Sequence, residues 1–420
     1  MLKVGIIGVG TVGASVANIL KDNKDIITAR AGVEIEPILG VVSNLKKDRD
    51  VSIKLTDNID EVLNDDSIDI VVELMGGVEK PYEVVKKALE NGKAVVTANK
   101  ALLAYHRYEL QDLAGETPFE YEAAVAGGIP IINALREGLT ANHIQSIRGI
   151  MNGTCNYMLT KMINEGVDYD TILTESQELG YAEADPTFDV GGFDAAHKLL
   201  ILGSIAYGID AKPEDILIEG IENISPDDID FANEFNYSIK LLTIAKKIGN
   251  EIELRVHPVF IPNNEMIAKV DGVMNGVSVI GDKVGETMYY GPGAGGDATA
   301  SAVVANIVDI ARRGKGSPML GFESSHGEDL KLMSKENIQT KYYLRLRVED
   351  KAGVLAKVSS ILGDKNISIE KMIQKPLNTT CAHLLLSTHT CLEKDITDAL
   401  DALEKAGAVT AKPVMIRIED

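Results

Sequence analysis

Residues 2–13 read LKVGIIGVGTVG: a short apolar strand, then Gly8-x-Gly10-x-x-Gly13, which opens into the helical run ASVANILKD. The first glycine permits a tight turn, the second lets a diphosphate approach the backbone, and the third lets helix and strand pack closely. The start of the helix offers unpaired N–H groups to an anion. The stretch therefore predicts a dinucleotide-binding βαβ unit, with Gly8, Gly10, Thr11, Val12 and Gly13 as cofactor contacts.

The same rhythm continues outward from this unit. Short strands are expected at 38–42, 70–74 and 118–122 and within KAVVTA (93–98). Helices are expected at 58–64 and along PYEVVKKALENG (81–92), with Pro81 in the first turn and Gly92 just past the end. Strands alternating with helices imply a parallel sheet, so the fold class is α/β with a Rossmann-like nucleotide-binding domain.

The second strand ends Val41-Val42-Ser43-Asn44 and is followed by Lys46, Lys47 and Arg49. A carboxylate there would suit the ribose hydroxyls of NAD, whereas its absence beside cations suits the extra phosphate of NADP. NADP is expected, with Lys46 as a contact. NAD is the alternative, and the lysines can equally be a solvated turn. Gly76 follows IVVELM, and Thr97, Asn99 and Lys100 close the AVVTA strand. Ligands bind at that edge of an open parallel sheet, so these four residues are expected at the cofactor site, with Lys100 facing the nicotinamide or the substrate; the plain alternative for Lys100 is a helix cap or a surface pair.

From about 126 to 288 the pattern becomes α+β, with helices at 154–164 and Phe193–Tyr207 and strands at 252–258 and 273–280. After GPGAGG (291–296), the Ala-rich run 297–313 reads as one long helix that returns to the nucleotide domain. The expected division is 1–125 completed by 291–315, a substrate-binding and dimerisation domain at 126–290, a linker at 316–339, and a regulatory domain at 340–420. The last follows βαββαβ order, with strands at 342–348, 367–373, 382–388 and 408–418 and helices at 354–362 and 395–405, a ferredoxin-like arrangement.

The chemistry is expected in GYAEADPTFDVGGFDAAHKLLIL (180–202). Asp194 and Lys198 stand four residues apart on one helical face, where a carboxylate and an ammonium orient each other and a polar substrate. The plain alternative is a helix-stabilising ion pair worth about 0.3–0.5 kcal/mol. The Gly-rich acidic loop before it, holding Glu183, Asp185 and Asp189, costs backbone entropy and buries little, which favours a ligand. His197 lies on another face and reads as a packed or surface residue. Thr154 reads as a helix N-cap, and Asn152 before it as a candidate partner for carboxamide or substrate. Cys155 has no basic neighbour in sequence to activate it.

Composition narrows the classes further. Against 42 Lys and Arg stand 63 Asp and Glu, a net charge of −21 that opposes nucleic-acid binding. No apolar run reaches the ~18 residues of a membrane helix. Three cysteines without metal-ligand spacing, and a start directly in a strand pattern, lead to the expectation of a reducing cytoplasm.

Taken together, the fingerprint at Gly8, ELMGG (73–77), TANKALL (97–103), EAAVAGGIPII (122–132), NGTCNY (152–157) and the 180–198 stretch resemble homoserine dehydrogenase in order and spacing. The likeness covers residues 1 to about 315, and the tail resembles an ACT domain. The resemblance implies reversible NAD(P)H-dependent reduction of L-aspartate 4-semialdehyde to L-homoserine, which feeds threonine, isoleucine and methionine synthesis. It implies Lys198 as general acid/base, Asp194 orienting substrate and lysine, Glu183 on the substrate amino group with Asp189 nearby, and Lys100 at the junction of nicotinamide and substrate. Asn152, Gly153, Gly293 and Gly295 would contact the cofactor. Backbone carbonyls of Glu122, Val125, Gly127 and Ile129 would hold a structural Na+ or K+.

For the tail, the resemblance implies an amino-acid effector, threonine being the logical one, at Asp350, Gly353, Val354, Leu355 and Asn366. The loop DKAGVL carries Ala352 where many such loops have proline, and so loses a fixed φ. A homodimer or homotetramer is implied. A related semialdehyde dehydrogenase would need an acylating cysteine, and that reading fails because Cys155 lacks an activating setting and Cys381 and Cys391 lie in the tail. The alternative that stays open is a non-catalytic nucleotide- and amino-acid-sensing ACT protein.

Overall fold

The computed structural model describes residues 1–314, 318–324, 326–327 and 329–419, so parts of the expected linker (316, 317, 325 and 328), residue 315 and residue 420 lie outside the described residues. By packing, the chain forms two compact units: 1–153 with 194–215 and 273–330, and 154–193 with 216–272 and 331–420.

The first unit is built on β1 (Leu2–Ile7), β2 (Ile35–Val41), β3 (Lys54–Thr56), β4 (Ile70–Glu73), β5 (Ala94–Thr97) and β6 (Phe119–Glu120). Every pairing is parallel and the order is β3-β2-β1-β4-β5-β6. The order reverses between β1 and β4, which opens a crevice at their carboxyl ends. Connecting helices are α1 (Thr11–Asp22), α2 (Lys24–Ala31), α3 (Asp60–Leu63), α4 (Glu79–Glu90) and α5 (Lys100–Ala114). The apolar strands are buried on both faces, as parallel sheets require. The helix Gly296–Arg313 packs Ala300, Val303, Val304 and Ile307 into one core with Val16, Ala17 and Leu20 of α1 and Val4, Ile6, Val72 and Val96 of the sheet. The Ala-rich run thus returns to the nucleotide fold.

Two local differences from the sequence reading have clear causes. The strand expected at 118–122 stops at Glu120, and a 3-10 turn takes Glu122–Ala124. Glu122 is withdrawn from the sheet by its own bonds. Its N–H donates to Asn306 Oδ1 (2.8 Å), and its carboxylate accepts from the N–H groups of Ile132 and Asn133 (2.9 and 2.8 Å). The sequence reading also offers no helix for 100–114. There Asn99 is the N-cap, its Oδ1 accepting from Leu102 N (3.0 Å), and Leu102, Leu103 and Leu110 turn inward.

An antiparallel sheet of Ile144–Ile150, Met274–Gly281 and Gly285–Pro292 completes this unit together with the helix Phe193–Tyr207. That helix is apolar nearly all round and is buried along almost its whole length, which carries Asp194, His197 and Lys198 inside with it.

In the second unit, the hairpin Tyr237–Ile248 and Glu251–Pro262 pairs antiparallel throughout. The tail forms its βαββαβ pattern with strands Gln339–Glu349, Ile369–Pro376, Cys381–Thr388 and Val414–Ile418 and helices Val354–Asp364 and Glu393–Lys405. The last strand is shorter than expected, because after the helix ends at Lys405 and turns, 408–413 runs irregularly through a bend at 410–411. Its Arg417 and Ile418 pair parallel with Val259 and Phe260 of the hairpin, while Lys331–Leu332, within the expected linker, pairs with Glu251 and Ile252. Buried Arg417 donates to both Glu219 oxygens (2.8 Å each) and pairs with Glu393 of the tail helix.

One buried side chain sets the spacing of the two helices that matter for the site. Arg107 of α5 donates Nε to Ser204 Oγ (2.6 Å) on the Phe193–Tyr207 helix, and its other nitrogens to the carbonyls of Ala104 (2.7 Å) and Ala211 (2.6 Å) and to Asp210 (3.2 Å). Arg107→Met keeps the apolar stem but removes all four of these donations. A loss of about 1–3 kcal/mol is expected in denaturant unfolding; an unchanged midpoint would show that the fork is dispensable.

Candidate active site

The crevice at the carboxyl ends of β1, β2 and β4 is a cleft of about 320 Å³, lined by Gly8, Val9, Gly10, Ser43, Arg49 and Lys80 among others. Gly8 has a left-handed φ of 104°, and a Cβ there would lie 2.6 Å from the Leu74 carbonyl. A Cβ on Gly13 would lie 2.4 Å from the Gly8 carbonyl, whereas one on Gly10 meets nothing within 4 Å. The loop is closed where helix meets strand and open where a diphosphate would lie. Thr11 and Val12 begin α1, which has no acidic residue in its first turn.

The cations on the cleft wall are Arg49 and Lys80. Arg49 donates Nε to the Val9 carbonyl (2.8 Å) and Nη1 to the carbonyls of Asn44 and Lys47 (2.9 Å each). Lys46 lies exposed on the turn, its N–H bonded to Asn44 Oδ1 (2.9 Å). The charge character of this turn was readable from sequence, but which cation reaches the cleft was not.

Asp194 is the centre of the second cluster. Its Oδ2 accepts from Lys198 Nζ (2.7 Å) and Asn152 Nδ2 (3.0 Å), and its Oδ1 lies 3.1 Å from Lys100 Nζ. Lys198 also donates to the Met151 carbonyl (2.6 Å). Burial opposes charge on Asp194, but the Lys198 and Lys100 ammoniums and the Lys198 and Asn152 hydrogen bonds hold its carboxyl well below the usual carboxylate range. The lysine side chains differ in access, Lys198 being 11% exposed and Lys100 34%. A single carboxylate therefore fixes one buried and one accessible cation, and Lys198, with three donors and two partners, keeps one N–H for a bound oxygen.

His197 is buried, with its ring edge-on to Tyr105 (centroids 5.6 Å apart), and burial lowers its pKa. It is a packed residue, as its helical face suggests. Thr154 corrects the N-cap expectation. The helix Gly153–Glu165 already includes it, and its hydroxyl donates to the Tyr181 carbonyl (2.7 Å), which pins the 180–192 loop. Cys155 is buried and donates to the Asp189 carbonyl (3.2 Å).

The remaining cofactor and substrate candidates fall in three places. Gly76, Thr97, Asn99 and Lys100 meet at the ends of β4 and β5, where Asn99 Nδ2 donates to the carbonyls of Gly77 (2.9 Å) and Met75 (3.4 Å). Gly153 and Gly293 flank buried Asn275: a Cβ on Gly293 would lie 2.1 Å from the Asn275 amide, and Gly295 precedes the helix Gly296–Arg313. Glu183 and Asp189 belong to the second unit, Glu183 exposed with its carbonyl accepting from Gln177 Nε2 (3.1 Å) and Asp189 in the short helix Thr187–Val190.

Around Glu122, Val125, Gly127 and Ile129 the chain turns through left-handed Ala126 and Gly127 (φ 55° each), with Gly127 against the Gly293 carbonyl. Burial pushes the Glu122 carboxyl up to about 7 against the pull of the Asn133 and Ile132 N–H groups. No group of three or more His, Cys, Asp or Glu with metal-binding geometry occurs among the described residues. In the tail, Gly353 caps the helix Val354–Asp364, Leu355 is exposed, Asn366 is left-handed (φ 57°), and Asp350 accepts from Gln374 Nε2 (3.1 Å). No helix among the described residues is long and apolar enough to cross a membrane.

Sequence reasoning passed over Glu73, Arg107 and Asn275, all buried. The signal for Glu73 was present, since a carboxylate inside the apolar run IVVELM must find partners.

Comparison with known proteins finds relatives along the whole chain. Family models match for the homoserine dehydrogenase NAD-binding domain over residues 8–122, for homoserine dehydrogenase over 130–308 and for the ACT domain over 342–408. The chain is 55% identical over 420 residues to homoserine dehydrogenase of Helicobacter pylori, covering 100% of this chain and 99% of the relative. The crystal structure of a homoserine dehydrogenase from Thiobacillus denitrificans matches with a TM-score of 0.93 at 47% identity, over 100% of this chain and 98% of that one. A hyperthermophilic archaeal homoserine dehydrogenase in complex with NADPH matches with a TM-score of 0.62 at 29% identity, over 73% of this chain and 97% of that one. With its Rossmann-like nucleotide domain, its mixed catalytic segment and its C-terminal ACT domain, the chain belongs to the homoserine dehydrogenase family of oxidoreductases.

Proposed function

We propose that the chain catalyses the reversible NAD(P)H-dependent reduction of L-aspartate 4-semialdehyde to L-homoserine, in the supply of threonine, isoleucine and methionine. The observation that carries this reading is the single buried carboxylate, Asp194, shared by Lys198 and Lys100. When bound, the nicotinamide supplies the hydride to the aldehyde carbon. The protein's own residues govern the oxygen. Lys198 gives its proton to the oxygen as charge develops, and the electrostatic aid is greatest at that moment. Asp194 keeps Lys198 aimed, and Lys100 adds a second cation from the accessible side. The reaction consumes one proton. Glu183 holds the substrate amino group, with Asp189 nearby.

NADP is the proposed preference and NAD the alternative. No carboxylate stands directly after β2, where Val42-Ser43-Asn44 would meet the ribose, and the cleft wall carries Arg49 and Lys80 as well as Asp57. Gly8, Gly10, Thr11, Val12 and Gly13 hold the diphosphate, while Gly76, Thr97, Asn99, Asn152, Gly153, Gly293 and Gly295 frame the nicotinamide. The carbonyls of Glu122, Val125, Gly127 and Ile129 form the donor set for Na+ or K+; an all-oxygen neutral set suits a hard monovalent ion. In this reading 126–290 binds substrate and forms a homodimer, 340–420 regulates and can raise the assembly to a tetramer, and the enzyme works in the cytoplasm. Threonine is the proposed effector, held by Asp350, Gly353, Val354, Leu355 and Asn366.

Nicotinamide absorbance followed with L-aspartate 4-semialdehyde, using NADPH and NADH in turn, tests the reaction. Turnover faster with NADPH is expected, and Lys198→Ala should lower kcat by about 10²–10⁴-fold while cofactor binding persists. Absence of turnover with either cofactor, from folded protein that binds one, would overturn the assignment in favour of a sensor. In the same assay L-threonine should lower the rate, and Asn366→Ala should relieve that inhibition; a rate indifferent to threonine would refute the proposed effector.

A further inference from the structure

We propose that Glu73 is a positioning residue for the reaction: through Thr97 and Asn99 it fixes the N-terminus of α5, and with it the approach of Lys100 to Asp194. The inference rests on the proposed role of the Asp194 cluster. Glu73 is the last residue of β4, fully buried, and lies beneath the loops expected to frame the nicotinamide. One carboxylate oxygen accepts from Met75 N (2.6 Å) and the other from Thr97 Oγ1 (2.6 Å), so a single side chain ties the β4 loop to the end of β5. Thr97 Oγ1 in turn accepts from Asn99 N (3.0 Å). Asn99 then bonds back to the β4 loop through the carbonyls of Gly77 and Met75, and caps α5 through Leu102 N. The next residue is Lys100, 3.1 Å from Asp194. Every link from Glu73 to Lys100 is a hydrogen bond or a peptide bond, so loosening the first displaces the last.

A buried carboxylate is a costly way to hold two loops unless both oxygens are used. Here both are. Burial pushes the Glu73 carboxyl up to about 7, although the Thr97, Met75 and Asn99 hydrogen bonds favour the ionised form. Ionised Glu73 accepts from both loops, whereas the protonated form gives up one acceptor. Within the sheet Glu73 lies between Ile7 of β1 and Thr97 of β5. Of the titratable and charged groups on the neighbouring β1 and α5, Lys3 stands at the amino end of β1, Lys100 opens α5, and His106, Arg107, Glu109 and Asp112 lie further along it; none of them forms an ion pair with Glu73 among the described residues.

The test compares wild type, Glu73→Gln, Thr97→Val and the double variant between pH 6 and pH 8, with thermal melting as the control for folding. Glu73→Gln imitates the protonated form. The kcat ratio of wild type to variant should therefore be about two at pH 6, where about a tenth of Glu73 is ionised, and rise to about ninefold at pH 8, the worth of one hydrogen bond. Thr97→Val should lose a similar factor, and the double variant no more than either single change, since both break one chain of contacts. Amide exchange at Asn99 and Leu102 reads the same ordering without turnover, and should be faster in Glu73→Gln at pH 8 whatever the substrate proves to be. A ratio that is flat with pH, or additive losses in the double variant, together with unchanged exchange, would overturn the proposal. Absence of wild-type turnover with exchange still faster in the variant would instead fault the substrate assignment and leave the tether standing.

Discussion

One carboxylate holds this site together. Asp194 is buried, and an isolated buried anion would cost several kcal/mol. It is stable because Lys198 and Asn152 meet one oxygen and Lys100 the other. The same arrangement is chemically useful. Two cations that would repel each other are held at one point, one screened from solvent and one open to it. A developing oxyanion beside them would meet positive charge already in place, with no rearrangement needed at the moment of reaction.

Bringing Lys100 and Asn152 from distant parts of the chain to that carboxylate, beside its helical neighbour Lys198, places demands on the rest of the first unit. Lys100 depends on where α5 begins, which Asn99 decides by capping it. Asp194 and Lys198 depend on the depth of the Phe193–Tyr207 helix, which its all-round apolar surface decides. Arg107 and Ser204 then set the two helices against each other some two turns further along. Asn152 and Met151 lie at the end of the strand Ile144–Ile150, whose pairing with Met274–Gly281 fixes their height. The nucleotide cleft is formed on the same parallel sheet that ends in Glu73 and Thr97. Cofactor loops and the lysine cluster therefore share a foundation.

Much of this was legible in the sequence, for reasons that differ by element. The first βαβ unit is local, and Gly8 and Gly13 show why its signature is strict: a Cβ at either would strike a backbone carbonyl. The Phe193–Tyr207 helix and its Asp194–Lys198 pair are also local, a matter of helical spacing. Lys100 was readable as a residue at the right edge of a sheet, but its partner, 94 positions away, was not. Helix α5 escaped because its polar and apolar residues alternate loosely and its start depends on a side-chain cap. Thr154 misled for the opposite reason. A threonine at a helix start is normally a cap, and here tertiary contact with Tyr181 claims its hydroxyl. The shortened strand at Phe119–Glu120 likewise reflects the distant Asn306. The tail's βαββαβ order was plain, whereas the pairing of its last strand with the hairpin at Val259 and Phe260 rests on contacts that no local pattern encodes.

In the proposed reaction the Asp194 cluster fixes where the carbonyl oxygen must lie, and the nicotinamide, when bound, would supply the hydride to its carbon. The most direct measurement is transfer of deuterium from NADPH deuterated at the reactive carbon to L-aspartate 4-semialdehyde, with the product analysed by mass spectrometry for wild type and Asp194→Asn. The account predicts L-homoserine carrying one deuterium on its alcohol carbon in the wild type, and only a trace of it in the variant although NADPH still binds. Labelled homoserine formed equally well by Asp194→Asn would contradict the role given to the carboxylate, and no labelled homoserine from the wild type would contradict the reaction itself.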